Sequence, residues 1–162
     1  TVSFARHVCG LKEANSTEFD PSTPHPVIDL LPEQKAVTEM GGTMRLGGHD
    51  IQILENSLAH RIYGKTMIRE RHRHRYEFNQ AYRREFESHS MVFSGWSDKG
   101  RRIEILEVPS HPFYLATQYH PEFTSRPGRP EPAYRAFMEA SLHRKQVLKS
   151  IPSSVSGEVR AA

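Results

Sequence analysis

Three strand candidates lie close together in the second half of the chain, and they constrain the fold more than any other feature. Met91 to Trp96, Arg102 to Val108 and Phe113 to Tyr119 are short runs rich in apolar and aromatic residues. Ser97-Asp98-Lys99-Gly100 separates the first two and has the chemistry of a hairpin turn, so part of the sheet is expected to be antiparallel. Helical spacing appears on both sides of this block. Val2, Ala5 and Val8 lead to Gly10, placed as a C-cap, and Ala81 to Ser88 also reads as helix. In a final helix Tyr134, Phe137, Met138, Ser141 and Leu142 share one face. Strands alternating with helices over 162 residues imply one α/β core.

The first half is less regular. Asn15 to Pro26 reads as a loop and Val27 to Leu31 as a short buried strand. Gly41-Gly42 and Gly47-Gly48 bracket a second short strand, and Asp50 to Leu54 reads as another. Asn56 or Ser57 is placed to cap a helix running to Tyr63. Arg71 to Asn79, dense in Arg and His, ends in a strand-like Tyr76-Glu77-Phe78, and Pro127 to Pro132 is a loop. The Ser-rich tail from Ser150 onward is expected to be disordered, leaving residues 1–149 as the domain and 150–162 as a tail.

The 22 basic and 19 acidic residues nearly cancel, which argues against a dedicated nucleic-acid binder. One cysteine cannot build a disulfide framework, which fits a reducing, cytoplasmic setting, and no apolar run reaches the roughly 20 residues of a membrane span. The chain opens on Thr1 within a helical pattern, so it reads as part of something longer.

Gln118-Tyr119-His120-Pro121-Glu122-Phe123 follows the apolar run Phe113 to Ala116. Pro121 places His120 where a strand gives way to a loop, a position at which α/β proteins hold catalytic groups. There His120 and Glu122 can serve as general base and orienting carboxylate, or simply be a strand-end His beside a surface Glu. Such a relay needs a thiol or hydroxyl on the far side of the imidazole. Cys9 does not suit that role, since it precedes Gly10 at the end of a helix, where the dipole disfavours thiolate; it reads as a buried, inert thiol. Glu70-Arg71-His72-Arg73-His74-Arg75-Tyr76-Glu77 has three readings: a solvated charged face, a metal site at His72 and His74 opposed by the interleaved arginines, or an anion site built on arginine. In Asn15-Ser16-Thr17-Glu18-Phe19, Glu18 either belongs to a capped turn or accepts hydrogen bonds from a cationic or amide group.

Together with Gly41-Gly42-Thr43-Met44-Arg45-Leu46-Gly47, these segments resemble the carboxy-terminal glutaminase domain of the CTP synthase family, a class I glutamine amidotransferase. The His-Pro-Glu element is shared by many such enzymes; the glycine motif and the Arg/His run are more specific. The resemblance implies a three-layer, flavodoxin-like α/β domain, of which this chain is the C-terminal part. It implies His120 as general base, Glu122 as its orienting acid, Arg75 on the α-carboxylate of glutamine and Glu18 on its α-amino group. It implies no metal and no cofactor here, with MgATP, UTP and ATP bound by a separate synthetase domain, GTP as a possible allosteric effector, and a homotetramer. The nucleophile elbow, the oxyanion-hole glycines and that synthetase domain have no counterpart in these residues, so the polypeptide alone is expected to be inactive on glutamine and poorly stable. A stand-alone, non-catalytic binding or regulatory module is the alternative, and another amidotransferase or γ-glutamyl hydrolase would fit His-Pro-Glu but not the other segments.

Overall fold

A computed structural model describes residues 1–30 and 44–150. Gly41, Gly42 and Thr43 of the glycine motif, Leu31, and the tail beyond Ser150 lie outside the described residues. Helix α1 (Val2–His7) leads through Gly10, at φ +74°, into β1 (Ala14–Ser16), which pairs parallel with β2 (His25–Asp29). The segment expected to be a loop from Asn15 thus contains a strand. Three residues are too few for alternation to show in sequence, and the pairing with β2 supplies what periodicity cannot. β2 also pairs antiparallel with β5 (Glu77–Phe78), completing a three-stranded sheet.

The second sheet has the order β4-β3-β6-β7-β8, all antiparallel: β3 is Arg45–Ile53, β4 Met67–His74, β6 Val92–Ser97, β7 Arg102–Glu107 and β8 Leu115–Thr117. The two strands expected around Gly47-Gly48 are one. β3 stays in register with β4 from Arg45↔His74 to Gln52↔Met67, and Gly47 supplies the φ of +87° that lets it continue. The expected hairpin between β6 and β7 is present, turning through Asp98, Lys99 and Gly100, all at positive φ. Helix α2 (Leu58–Tyr63) starts at Ser57, whose hydroxyl accepts from the His60 N–H at 3.0 Å. The expected helix from Ala81 begins as a 3₁₀ turn and becomes α3 (Arg83–Ser88), and α4 (Pro132–Ser150) closes the described chain.

β7 lies between the two apolar clusters. Ile103 and Leu106 pack with Phe78, Phe86 and Phe93, while Ile105 packs with Ile51, Ile53 and Tyr119. Its two carboxylates are buried as well, which requires partners. Glu107 finds one at the α2 N-terminus, accepting the Leu58 and Ala59 N–H groups at 2.9 and 2.8 Å. Across the sheet, Gly95 faces Ile105 so closely that a Cβ would sit 2.6 Å from Ile105 Cγ1 and 2.9 Å from its Cβ. Ile105 is fully buried and cannot retreat, so Gly95→Ala is expected to cost about 1–3 kcal/mol, read as a lower urea midpoint.

Candidate active site

β4 sorts the Arg/His run by alternation. Ile68, Glu70 and His72 are buried, whereas Arg69, Arg71 and Arg73 are exposed on the opposite face. His72 and His74 do share a side, as expected, but the interleaved arginines point away from them. His72 Nε2 is 2.9 Å from Glu104 Oε2, and Arg45 Nη2 is 2.6 Å from Glu104 Oε1, which also accepts the Ser97 hydroxyl. Burial pushes the Glu104 carboxyl up, but the hydrogen bonds from His72, Arg45 and Ser97 and the Arg45 charge prevail and hold it at about 2. Burial lowers His72 and outweighs the pull of Glu104. The charged pair is therefore Arg45–Glu104, with a neutral His72 donating its Nε2–H. Both depressed values mean that the unfolded chain binds protons more tightly than the folded one. Stability is expected to decline as pH drops below 6.5 through His72, and further between 4.5 and about 2 through Glu104. Urea midpoints at pH 7, 5 and 3 test this, and Glu104→Gln should flatten the acid limb.

His74, whose ring lies 5.3 Å from that of His72, lines an open cleft of about 670 Å³, a size suited to small ligands, together with Glu18, Ile28, Met44, Arg73, Arg75, Tyr76 and His120. Three residues singled out in sequence, Glu18, Arg75 and His120, thus converge from positions 18, 75 and 120. Glu18 is carried by the turn after β1, where its N–H meets the Ser16 hydroxyl at 3.2 Å. Arg75 follows directly on β4.

His120 lies beyond the end of β8, before a 3₁₀ turn over Pro121–Phe123, as the proline implied. Glu122 is absent from the cleft wall and meets His120 from behind, with His120 Nδ1 2.7 Å from Glu122 Oε1. Partial desolvation would raise Glu122, but the hydrogen bond from His120 and that from its own backbone hold it below the usual carboxylate range. A charged Glu122 fixes the proton on Nδ1 and leaves the Nε2 lone pair to accept one.

Several tethers fix this turn. The His120 N–H donates to the Arg71 carbonyl at 2.9 Å, Gln118 Nε2 to the Tyr76 carbonyl at 3.0 Å, and the Thr124 hydroxyl to Glu70 at 3.1 Å. Tyr119, buried beside His120, shares a 2.7 Å hydrogen bond with Tyr63, which donates to Glu131. Glu131 in turn caps α4 by accepting the Ala133 N–H at 2.8 Å. Sequence reasoning missed this chain of phenols and carboxylate, and also Tyr134, whose hydroxyl reaches Glu122 at 3.5 Å. Tyr134 was visible only as one member of an apolar face. Cys9 is half-buried rather than fully buried. It lies past the end of α1 beside Glu85 and His89 and not on the cleft wall, and burial followed by the Glu85 charge pushes its thiol up.

The family model for glutamine amidotransferase class-I matches residues 3–140 of this mixed α/β domain, which carries a hydrogen-bonded His–Glu pair at a strand end. The chain belongs to that family. Similar proteins include CTP synthases. The chain is 58% identical to the CTP synthase of Staphylococcus saprophyticus over 146 residues, covering 90% of this chain and 27% of that protein. It is 58% identical to that of Archaeoglobus fulgidus over 141 residues, covering 87% and 26%. Among solved structures it matches the Trypanosoma brucei CTPS glutaminase domain with bound acivicin, at a TM-score of 0.81 and 38% identity, covering 88% of this chain and 55% of that one. The chain therefore spans about a quarter of the length of these curated relatives. Among the described residues no helix is long and apolar enough to cross a membrane.

Proposed function

We propose that residues 1–149 form part of the glutaminase domain of a CTP synthase, which hydrolyses glutamine and supplies ammonia for ATP-dependent amination of UTP. The observation that carries this reading is the convergence of Glu18, Arg75 and His120 on one cleft, with Glu122 hydrogen-bonded to His120. Glutamine has a carboxylate and an ammonium at one end and an amide at the other. Arg75 suits the carboxylate through a charge-assisted fork, and Glu18 suits the ammonium. His120 Nε2 then takes the proton of a thiol nucleophile as it attacks the amide carbonyl. It returns that proton to the departing ammonia, and water hydrolyses the resulting thioester. Cys9 is not that nucleophile, because it lies elsewhere in the fold.

The test is made in the complete enzyme with two nitrogen sources. Arg75→Lys is expected to raise KM for glutamine by about 10-fold or more, because a bidentate contact becomes a point charge. CTP formation from free ammonia should stay unchanged. Equal loss with both sources would remove Arg75 from the glutamine site.

A further inference from the structure

A second cluster shares no residue with the cleft lining. The Cys9 sulfur, a carboxylate oxygen of Glu85 and a ring nitrogen of His89 all lie within 4.8 Å of one another. No other such group of three occurs among the described residues. We propose that these three residues bind a zinc-class divalent cation, which staples the end of α1 to α3.

Glu85 and His89 are four residues apart, with Glu85 in the first turn of α3 and His89 at its C-cap, so helical geometry brings them to one side. They are already drawn together, with His89 Nδ1 3.4 Å from Glu85 Oε1. The same nitrogen lies 2.9 Å from the Glu85 carbonyl, which holds the ring over the helix end. Cys9 comes from a different element, but one fixed to α3 by packing. Phe4 of α1 stacks on the fully buried Phe86 of α3 with centroids 5.4 Å apart. The backbones that carry the ligands are therefore positioned by the core, which is what a metal site requires of its scaffold. Zinc bonds of about 2.0–2.3 Å put tetrahedral ligands roughly 3.5 Å apart, so closure asks for about an ångström of side-chain adjustment. The Glu85 and His89 side chains are 44% and 35% exposed, which leaves room for that movement.

The donor set decides the class of ion. Thiolate and imidazole favour zinc and its neighbours over magnesium or calcium, and three protein ligands leave a fourth position for water. The electrostatics point the same way. A sulfur placed past a helix C-terminus and beside a carboxylate has negative surroundings, and a cation supplies the charge they lack. On binding, the Cys9 thiol loses its proton to solvent, Glu85 binds as carboxylate, and His89 binds through the Nε2 lone pair, its Nδ1–H being held by the Glu85 carbonyl. No residue is shared with the cleft, so the site stands or falls independently of the proposed glutaminase role.

The experiment is a titration of the reduced 162-residue chain with cobalt(II), followed by its thiolate-to-metal charge-transfer absorption and its visible bands. One equivalent is expected to saturate both, and zinc(II) is expected to bleach them. Cys9→Ser should abolish the charge-transfer band. Glu85→Gln and His89→Ala should each weaken binding by at least about 10-fold, since even outer-shell partners of a metal cost that much. Circular dichroism shows whether each variant keeps its fold, and Glu85→Gln, at a half-exposed position, decides the matter should Cys9→Ser not keep it. A missing charge-transfer band overturns the site, as does a band that survives Cys9→Ser. Binding that neither the Glu85 nor the His89 change weakens overturns it too.

Discussion

Glutamine-dependent turnover is expected to fall by about 10²–10⁴-fold when His120 is replaced by alanine in the complete enzyme, because that range is what a positioned general base contributes. The loss should appear in kcat. In the role proposed for it, His120 takes its proton during the chemical step and does not hold the substrate's charged end, so KM for glutamine should change little. Ammonia-dependent CTP formation should persist, which separates loss of chemistry from loss of fold. Glu122→Gln should cost less than His120→Ala. The Glu122 side chain is 51% exposed, so water can partly replace its hold on Nδ1. Equal losses from the two changes would mean that the pair acts as a unit and that Glu122 does more than orient the ring.

The largest stability effect is expected at Arg45. Its guanidinium and the Glu104 carboxylate are both essentially removed from water, at 5% and 0% side-chain exposure. Arg45→Met leaves Glu104 charged and buried with only neutral donors, which is expected to cost about 3–5 kcal/mol. Against a usual total of about 5–15 kcal/mol, such a loss brings the domain close to unfolding at room temperature. The double change Arg45→Met with Glu104→Met should recover part of it, because two apolar side chains need no partner while the buried His72 Nε2–H and Ser97 hydroxyl lose theirs. Urea midpoints of the single and double variants decide this. If the single variant were as stable as the parent, the pair would not be the anchor that its geometry describes.

How much of this was legible in the sequence depended on the range of the interaction. The hairpin at Asp98 to Gly100, the Ser57 cap and the strand end before His120 all rest on local chemistry, and each appears where the residues indicated. The continuous β3 did not announce itself. Two glycine pairs look like breaks until β4 is seen pairing along the whole length of the strand. β1 was hidden for the same reason, since its partner residues lie eleven or twelve positions further on. Within the site, His120 and Glu122 are neighbours and could be read as a pair, and Glu18 and Arg75 were reached through family motifs. The Arg45–Glu104–His72 cluster and the Tyr119–Tyr63–Glu131 chain join distant segments by side-chain contacts alone. No spacing rule links residues 45, 72 and 104. Glu104 inside a central strand was the available clue, since a carboxylate there must find a partner.

The alternation of β4 has a consequence for how the domain finds its pairing. Sliding the strand by one residue against β3 would turn Arg69, Arg71 and Arg73 into the interior and expose Ile68, Glu70 and His72. The guanidiniums would then lose water, and Glu104, the carboxylate that faces His72 on that side, is already paired with Arg45, so the cost is several kcal/mol apiece. A plain alternation of apolar and polar residues would penalise that slip less. The charge run that looks like a solvated surface thus acts as a ratchet tooth on every second residue: it makes the wrong alignment far costlier than the right one is favourable, and it fixes where His74 and Arg75 must stand at the strand's end.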